Sequence, residues 1–198
     1  MKQKKNQKLR LVLSLTVFAV VVLVVFYRLN GRPGSSDSGW SKTDSTEVKA
    51  ILSKDLERNY PASVREVVRL YSRILKCWYQ ETITEEQWDR LLEMQRMLYD
   101  EELLQNNPWE TQKAALKAEM EQAKANKKGM ASYRLQKESS VKKWKSEGES
   151  YGSILACYMT HGKDGYEYTY EEFLLREDAD GHWKIVGWRL TDATEIED

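Results

Sequence analysis

Apolar positions change their period twice along this chain of 198 residues. From Leu11 to Tyr27 they run on without a charge, and Leu9 and Leu29 extend the run with Arg10 and Arg28 at its ends. A helix needs about 20 apolar residues to cross a hydrocarbon core, so residues 9–29 are expected to form a transmembrane helix. Beyond it, "NGRPGSSDSGWSKTDS" is Gly/Ser/Pro-rich and reads as a flexible tether. Spacing of three and four residues then takes over. Val48, Ile51, Leu52 and Leu56 mark a short amphipathic helix. Val64, Val67, Val68, Tyr71, Ile74, Leu75 and Trp78 mark a stronger one, with Pro61 as its first residue. Thr84 followed by Gln87 has capping-box spacing and opens a third helix, whose stripe is Trp88, Leu91, Leu92, Leu98 and Leu103. Asn107, Pro108 and Glu110 repeat that start for a helix with a thin stripe of Trp109, Leu116, Met120 and Ala123, stopped at Gly129.

After Gly129 the period becomes two. "MASYRLQKESSVKKWK", "YGSILACYMTH", "YEYTYEEFLLRE" and "HWKIVGWRLTD" read as strands. "GKDG" and "DADG" between the last three are hairpin signals. The expected class is therefore α+β, with about three helices packed on an antiparallel sheet of about four strands. In the last strand, Trp183 and Ile185 point one way, and Val186, Trp188 and Leu190 the other. Both faces are then apolar, so one covers the helices and the other meets a pocket, a second copy or a partner.

Charge sets the expected topology. Lys2, Lys4, Lys5, Lys8 and Arg10 put five positive charges before the apolar run, whereas residues 29–198 carry a net charge of −6. The positive-inside rule places residues 1–8 in the cytoplasm as a basic tail, residues 9–29 in the cell membrane, residues 30–60 as a tether with a short helix, and residues 61–198 outside as the folded domain. The alternative is a cleaved signal peptide. Its apolar core would be about 7–15 residues long and end in small residues, but Phe26, Tyr27, Arg28 and Leu29 are bulky. An acidic body lacks the clustered cations that phosphate backbones require, so no nucleic-acid partner is expected.

Helices followed by a sheet ending in "DGHWKIVGWRL" resemble the nuclear-transport-factor-two-like fold, in which a curved sheet ends in a similar Gly-x-Trp-x-Ile strand. "VVRLYSRILKCWYQETITEEQWDRLLEM" is similar to that fold's opening helices, and the resemblance covers roughly residues 61–192. Pro108 to Lys128 departs from its compact forms. The layout also resembles uncharacterised single-pass membrane proteins of Gram-positive bacteria and, more distantly, membrane scaffold subunits of type IV secretion and conjugation machines. These likenesses imply a scaffold or binding role, or a pocket enzyme, and the fold alone does not choose.

Chemistry-bearing residues are few. His161 and His182 flank hairpin glycines and read as turn residues, outside any metal-ligand spacing. No phosphate-binding or nucleophile-elbow motif occurs, "DADG" lacks the later positions of a calcium loop, and the pairs Glu85–Glu86, Glu101–Glu102 and Glu171–Glu172 read as solvated faces. No catalytic residue, metal or cofactor is expected. Cys77 and Cys157 fall in apolar segments, as buried thiols or as a disulfide that an exported domain permits. Tyr166, Tyr168 and Tyr170 share one strand face, as a stabilising ladder or the lining of a cleft. With Trp183 and Trp188 they are the candidate partner or pocket surface. The favoured expectation is a membrane-anchored extracytoplasmic module that acts by contact with a protein partner or a second copy. The alternative is a ligand-binding or enzymatic pocket.

Overall fold

The computed structural model describes residues 45–79, 83–192 and 196. These residues form five helices and then five strands. The helices are α1 (Ser45–Leu52), α2 (Val64–Trp78), α3 (Glu85–Met97), α4 (Glu101–Asn106) and α5 (Trp109–Ala125). The strands are β1 (Gly129–Leu135), β2 (Lys142–Ser146), β3 (Glu149–Gly162), β4 (Gly165–Glu177) and β5 (Trp183–Leu190), with a 3-10 turn at Glu138–Ser140. The architecture is α+β, but the expected fold is corrected on its membrane helix and its element count. Among the described residues no helix is long and apolar enough to cross a membrane. The span expected over residues 9–29 lies outside the described residues, as does the tail expected over 1–8.

α2 is the central helix because its apolar residues recur at three and four. Val64, Val67, Val68, Tyr71, Ile74, Cys77 and Trp78 are all buried. The helix starts at Val64, not at Pro61, because the Ser63 hydroxyl accepts from the Glu66 N–H at 3.3 Å. Val48, Ile51 and Leu56 join the same core from α1 and the turn after it.

The single helix expected after Thr84 is two. Its start is as the spacing predicts, with a reciprocal Thr84–Gln87 capping box. It breaks at Leu98–Asp100, where Tyr99 pairs in parallel with Ile185. The Asp100 N–H donates to the Ile185 carbonyl and the Ile185 N–H to that of Leu98, each at 2.8 Å. The Asp100 carboxylate then caps α4 through the Glu102 N–H and receives Arg176 at 2.6 and 3.0 Å. This tertiary pairing overrides the helical pattern and covers part of β5's outer edge. Asn107 does not cap α5 as expected: its side chain donates to the Leu103 carbonyl, and Pro108 takes the cap position.

The sheet is antiparallel in the order β1-β3-β4-β5, and β2 also pairs with β3. The expected first strand is thus two segments along one edge of β3. They part where Gln136 bonds both backbone groups of Leu155: its N–H donates to the carbonyl and its side-chain oxygen accepts from the N–H. β3 and β4 pair from Tyr151↔Arg176 to Gly162↔Gly165, across a two-residue turn, Lys163–Asp164, after which Gly165 adopts a φ of 101°. Alternation sends Gly152, Ile154, Ala156, Tyr158 and Thr160 of β3, with Glu171, Phe173 and Leu175 of β4, toward the helices. The opposite face is the outer one.

The β4–β5 ladder slips once. Leu175 pairs with Ile185 but Phe173 pairs with Trp188, so β5 carries an extra residue at Val186–Gly187. Trp188 therefore returns to the side of Trp183 and Ile185. The expectation that β5 is apolar on both faces is corrected: its tryptophans share the inner face. At Gly152 an added Cβ would lie 2.6 Å from Val64 Cγ2 and 3.3 Å from the Trp183 ring. Gly152→Ala is expected to destabilise the fold by about 1–3 kcal/mol through overpacking; urea denaturation checks this, and an unchanged midpoint would contradict it.

Candidate functional site

The two faces of the sheet divide the candidate residues. Tyr166, Tyr168 and Tyr170 alternate along β4 and stand together on the outer face. Tyr166 is 69% exposed and Tyr168 54%. Across β3 they meet His161, Met159 and Cys157 in register, and β1 adds Ser132 and Arg134. Tyr170 hydrogen-bonds the Cys157 thiol. Further along this face Glu172 receives Arg189 at 2.6 and 3.0 Å, beside Lys142, Ser153 and Gln136, around a shallow recess of about 220 Å³. At the far end the Trp144 ring, 43% exposed, stacks on Tyr151 at 5.9 Å.

Trp183 and Trp188 are not part of that surface. Trp188 packs against Tyr71, Phe173 and Tyr99 with ring centroids 5.4, 5.7 and 6.3 Å apart. Trp183 is buried, with the Lys143 ammonium over its ring. These rings fill the inner face. Cys77 and Cys157 are both buried free thiols. Cys77 belongs to the core, where burial pushes its thiol up to about 12, the mark of an unreactive cysteine. Cys157 lies on the outer side of the sheet.

The inner face also holds groups that the alternation pattern conceals. Glu171 shares its parity with Phe173 and Leu175 and pairs with Ala156 and Leu190, so it points toward the helices. It therefore lies on the face opposite its neighbour Glu172. The Glu119 carboxylate of α5, whose charge acts on Glu171, accepts from the Tyr79 hydroxyl. Burial first, and then the Glu119 charge, push Glu171 up to about 8. Burial raises Glu119 as well, against the pull of Lys128 and the Tyr79 bond. Tyr71, Tyr79 and Tyr158 surround the pair, all pushed above the ordinary phenol range chiefly by burial. The Ser72 hydroxyl donates to the Val68 carbonyl at 2.8 Å, which leaves its oxygen to accept from Tyr158 at 2.9 Å. The overlooked signal was parity: Glu171 falls two residues before Phe173 in a strand whose buried positions are odd-numbered.

His161 and His182 lie at the hairpin ends. The His182 ring packs tilted against Tyr60, with centroids 4.4 Å apart. Asp178, Asp180 and His182 bring one ligand-type atom each within 4.8 Å of one another. The Asp178 carboxylate accepts from the backbone N–H groups of Asp180 and His182 at 3.0 and 2.8 Å, which is how the turn is built. Lys184 already stands 3.9 Å from that carboxylate.

Fold and faces together define an α+β domain with a packed, acid-bearing inner face and an aromatic outer face. The chain belongs to the family described as Domain of unknown function (DUF6715), whose model matches residues 1–188. No curated protein matches it.

The sign of the pH dependence follows from Glu171. Its folded-state value, about 8, exceeds the ordinary 4.5, so across that interval the folded state holds a proton that the unfolded chain releases. Stability therefore falls as pH rises from about 4.5 through about 8. Thermal melts across that range should show a falling midpoint, and Glu171→Gln should flatten the slope. A rising midpoint, or an unaltered slope in the variant, would contradict the assignment.

Proposed function

We propose that this domain is a protein-interaction module of nuclear-transport-factor-two-like architecture, working through the outer face of its sheet. The observation that carries the reading is the exposure of Tyr166 and Tyr168 in line on that face, while Trp188, Tyr71 and Phe173 fill the other. Tyrosines presented on a strand offer large contact area at low entropic cost, and aromatic residues are enriched at binding hot spots. Arg134, Lys142 and Arg189 are exposed on the same face, against Glu172, which Arg189 engages. The partner that fits is a protein surface with carboxylates around an apolar or aromatic centre.

A second reading, a ligand pocket on the inner face, is favoured by the inward Glu171, with the Glu119 charge acting on it, among tyrosines. In the fold as it stands, packed rings occupy the ground beside them.

A photo-crosslinking phenylalanine analogue in place of Tyr168 of the full-length chain, in its own cells, tests the first reading. The expected result is one discrete adduct that is absent when the analogue replaces exposed Glu57 and is abolished by Arg134→Glu with Lys142→Glu. No adduct at 168, or equal labelling at both positions, would contradict the proposal.

A further inference from the structure

β1 and β2 leave a gap along β3. Leu135 pairs with Ala156 and Lys142 with Ser153, so residues 136–141 oppose only Ile154 and Leu155. The surplus chain goes into the Glu138–Ser140 turn. Gln136 closes the gap by bonding Leu155 twice: its N–H donates to the Leu155 carbonyl at 3.0 Å, and its side-chain oxygen accepts from the Leu155 N–H at 3.3 Å. Above this junction lies the recess of about 220 Å³, which Lys142, Ser153, Glu172, Arg189 and Thr191 also line. It is large enough for an acidic side chain with a few waters, each of which takes about 30 Å³.

Three donors are left over around the recess. Ser153 is only 6% exposed, yet its hydroxyl has no hydrogen bond among the described residues. A polar group so buried ordinarily has a partner, and the recess is where this one opens. Gln136 commits its side-chain oxygen to Leu155, which fixes the amide in place and keeps its NH2 for donation. Lys142 lies opposite Ser153 in register and has no ion pair among the described residues. The remaining wall is a closed pair: Arg189 Nε and Nη2 both donate to Glu172 Oε2, at 3.0 and 2.6 Å. Two cations against one carboxylate leave the recess with a net charge of +1.

We propose that this recess is a carboxylate site, a socket for an Asp or Glu side chain of the protein partner; the source of the carboxylate rests on the interaction reading above, the site itself does not. An ammonium, a hydroxyl and an amide N–H converge on a group whose two oxygens accept about four bonds, and the bonds to it are charge-assisted. Arg189 already neutralises Glu172, so one uncompensated cation remains for one anion. A phosphate dianion would lack a second cation and would be repelled by the Glu172 carboxylate. Glu172 lies four residues along β4 from Tyr168, about 13 Å at about 3.3 Å per residue, so a single partner surface spans the socket and the tyrosines.

Amide chemical shifts of the full-length chain read the site by position. N-acetylglutamate α-amide, which offers one side-chain carboxylate, should shift the Gln136, Ser153 and Leu155 amides saturably. Its N-acetylglutamine counterpart, at the same ionic strength, should not. Ser153→Ala should weaken the acidic probe about fivefold or more, because a hydrogen bond to a charged group is lost. Lys142→Gln, a change at an exposed position, should do the same. No saturable shift, equal shifts with the glutamine counterpart, tighter binding of inorganic phosphate, or an unchanged affinity in either variant would overturn the proposal. The Tyr168 adduct separates the two claims. An adduct without a titration overturns the socket and leaves the interaction face standing, whereas a titration without an adduct overturns the assignment of the carboxylate to a protein partner.

Discussion

One extra residue in β5 decides what fills the inner side of this sheet. Strand residues alternate, so a single slip in register moves every later side chain to the other face. The slip between Leu174 and Leu175 is compensated at Val186–Gly187, and it brings Trp188 over Phe173 and beneath Tyr71. With Trp188 there, the inner face is a stack of rings. Without the slip, the indole would stand outside beside Glu172, and the space under α2 would be empty. The aromatic plug inside is the result of that bulge, while the open tyrosine row outside follows from the unbroken alternation of β4 against β3.

The same alternation explains the acid inside. β4 must place Phe173 and Leu175 inward to bury them, and Glu171 travels with them two residues earlier. A carboxyl so placed keeps its proton well above the usual range, and the neighbouring Tyr158 and Tyr79 hydroxyls give the region a polar lining. Buried ionisable groups tend to accompany function because their desolvation costs stability. Here the cost falls at Glu171, among the tyrosines of the inner face. The long, unbroken β3–β4 ladder lies beneath the outer tyrosines.

Much of this fold was legible in the sequence, and the rest was hidden for identifiable reasons. The three-four spacing of α2, the Thr84–Gln87 cap and the two glycine hairpins depend on neighbours close along the chain, so they could be read there. The break at Tyr99 could not, because it is made by a strand that lies 86 residues later, at Ile185. The division of the first strand at Gln136 depends on Leu155 in the same way. Of the candidate surface, the common face of Tyr166, Tyr168 and Tyr170 follows from period two alone. Trp183 keeps the side of Ile185 that alternation gives it, which is the inner one, but Trp188 was put on the wrong face because a bulge leaves no sure mark in sequence; Gly187 was its only hint. Glu171 was passed over because a pair of adjacent glutamates looks solvated until the parity of the strand is fixed.

Aromatic cross-relaxation in the full-length chain, with tryptophan, tyrosine and phenylalanine rings selectively labelled, most directly tests where the Trp188 ring lies. The bulge requires contacts from the Trp188 indole to the Tyr71 and Phe173 rings, whose centroids lie 5.4 and 5.7 Å away. Contacts from that indole to Tyr170 and Leu174 instead would place it on the outer face, and the division of the sheet into a filled side and an open side would fail.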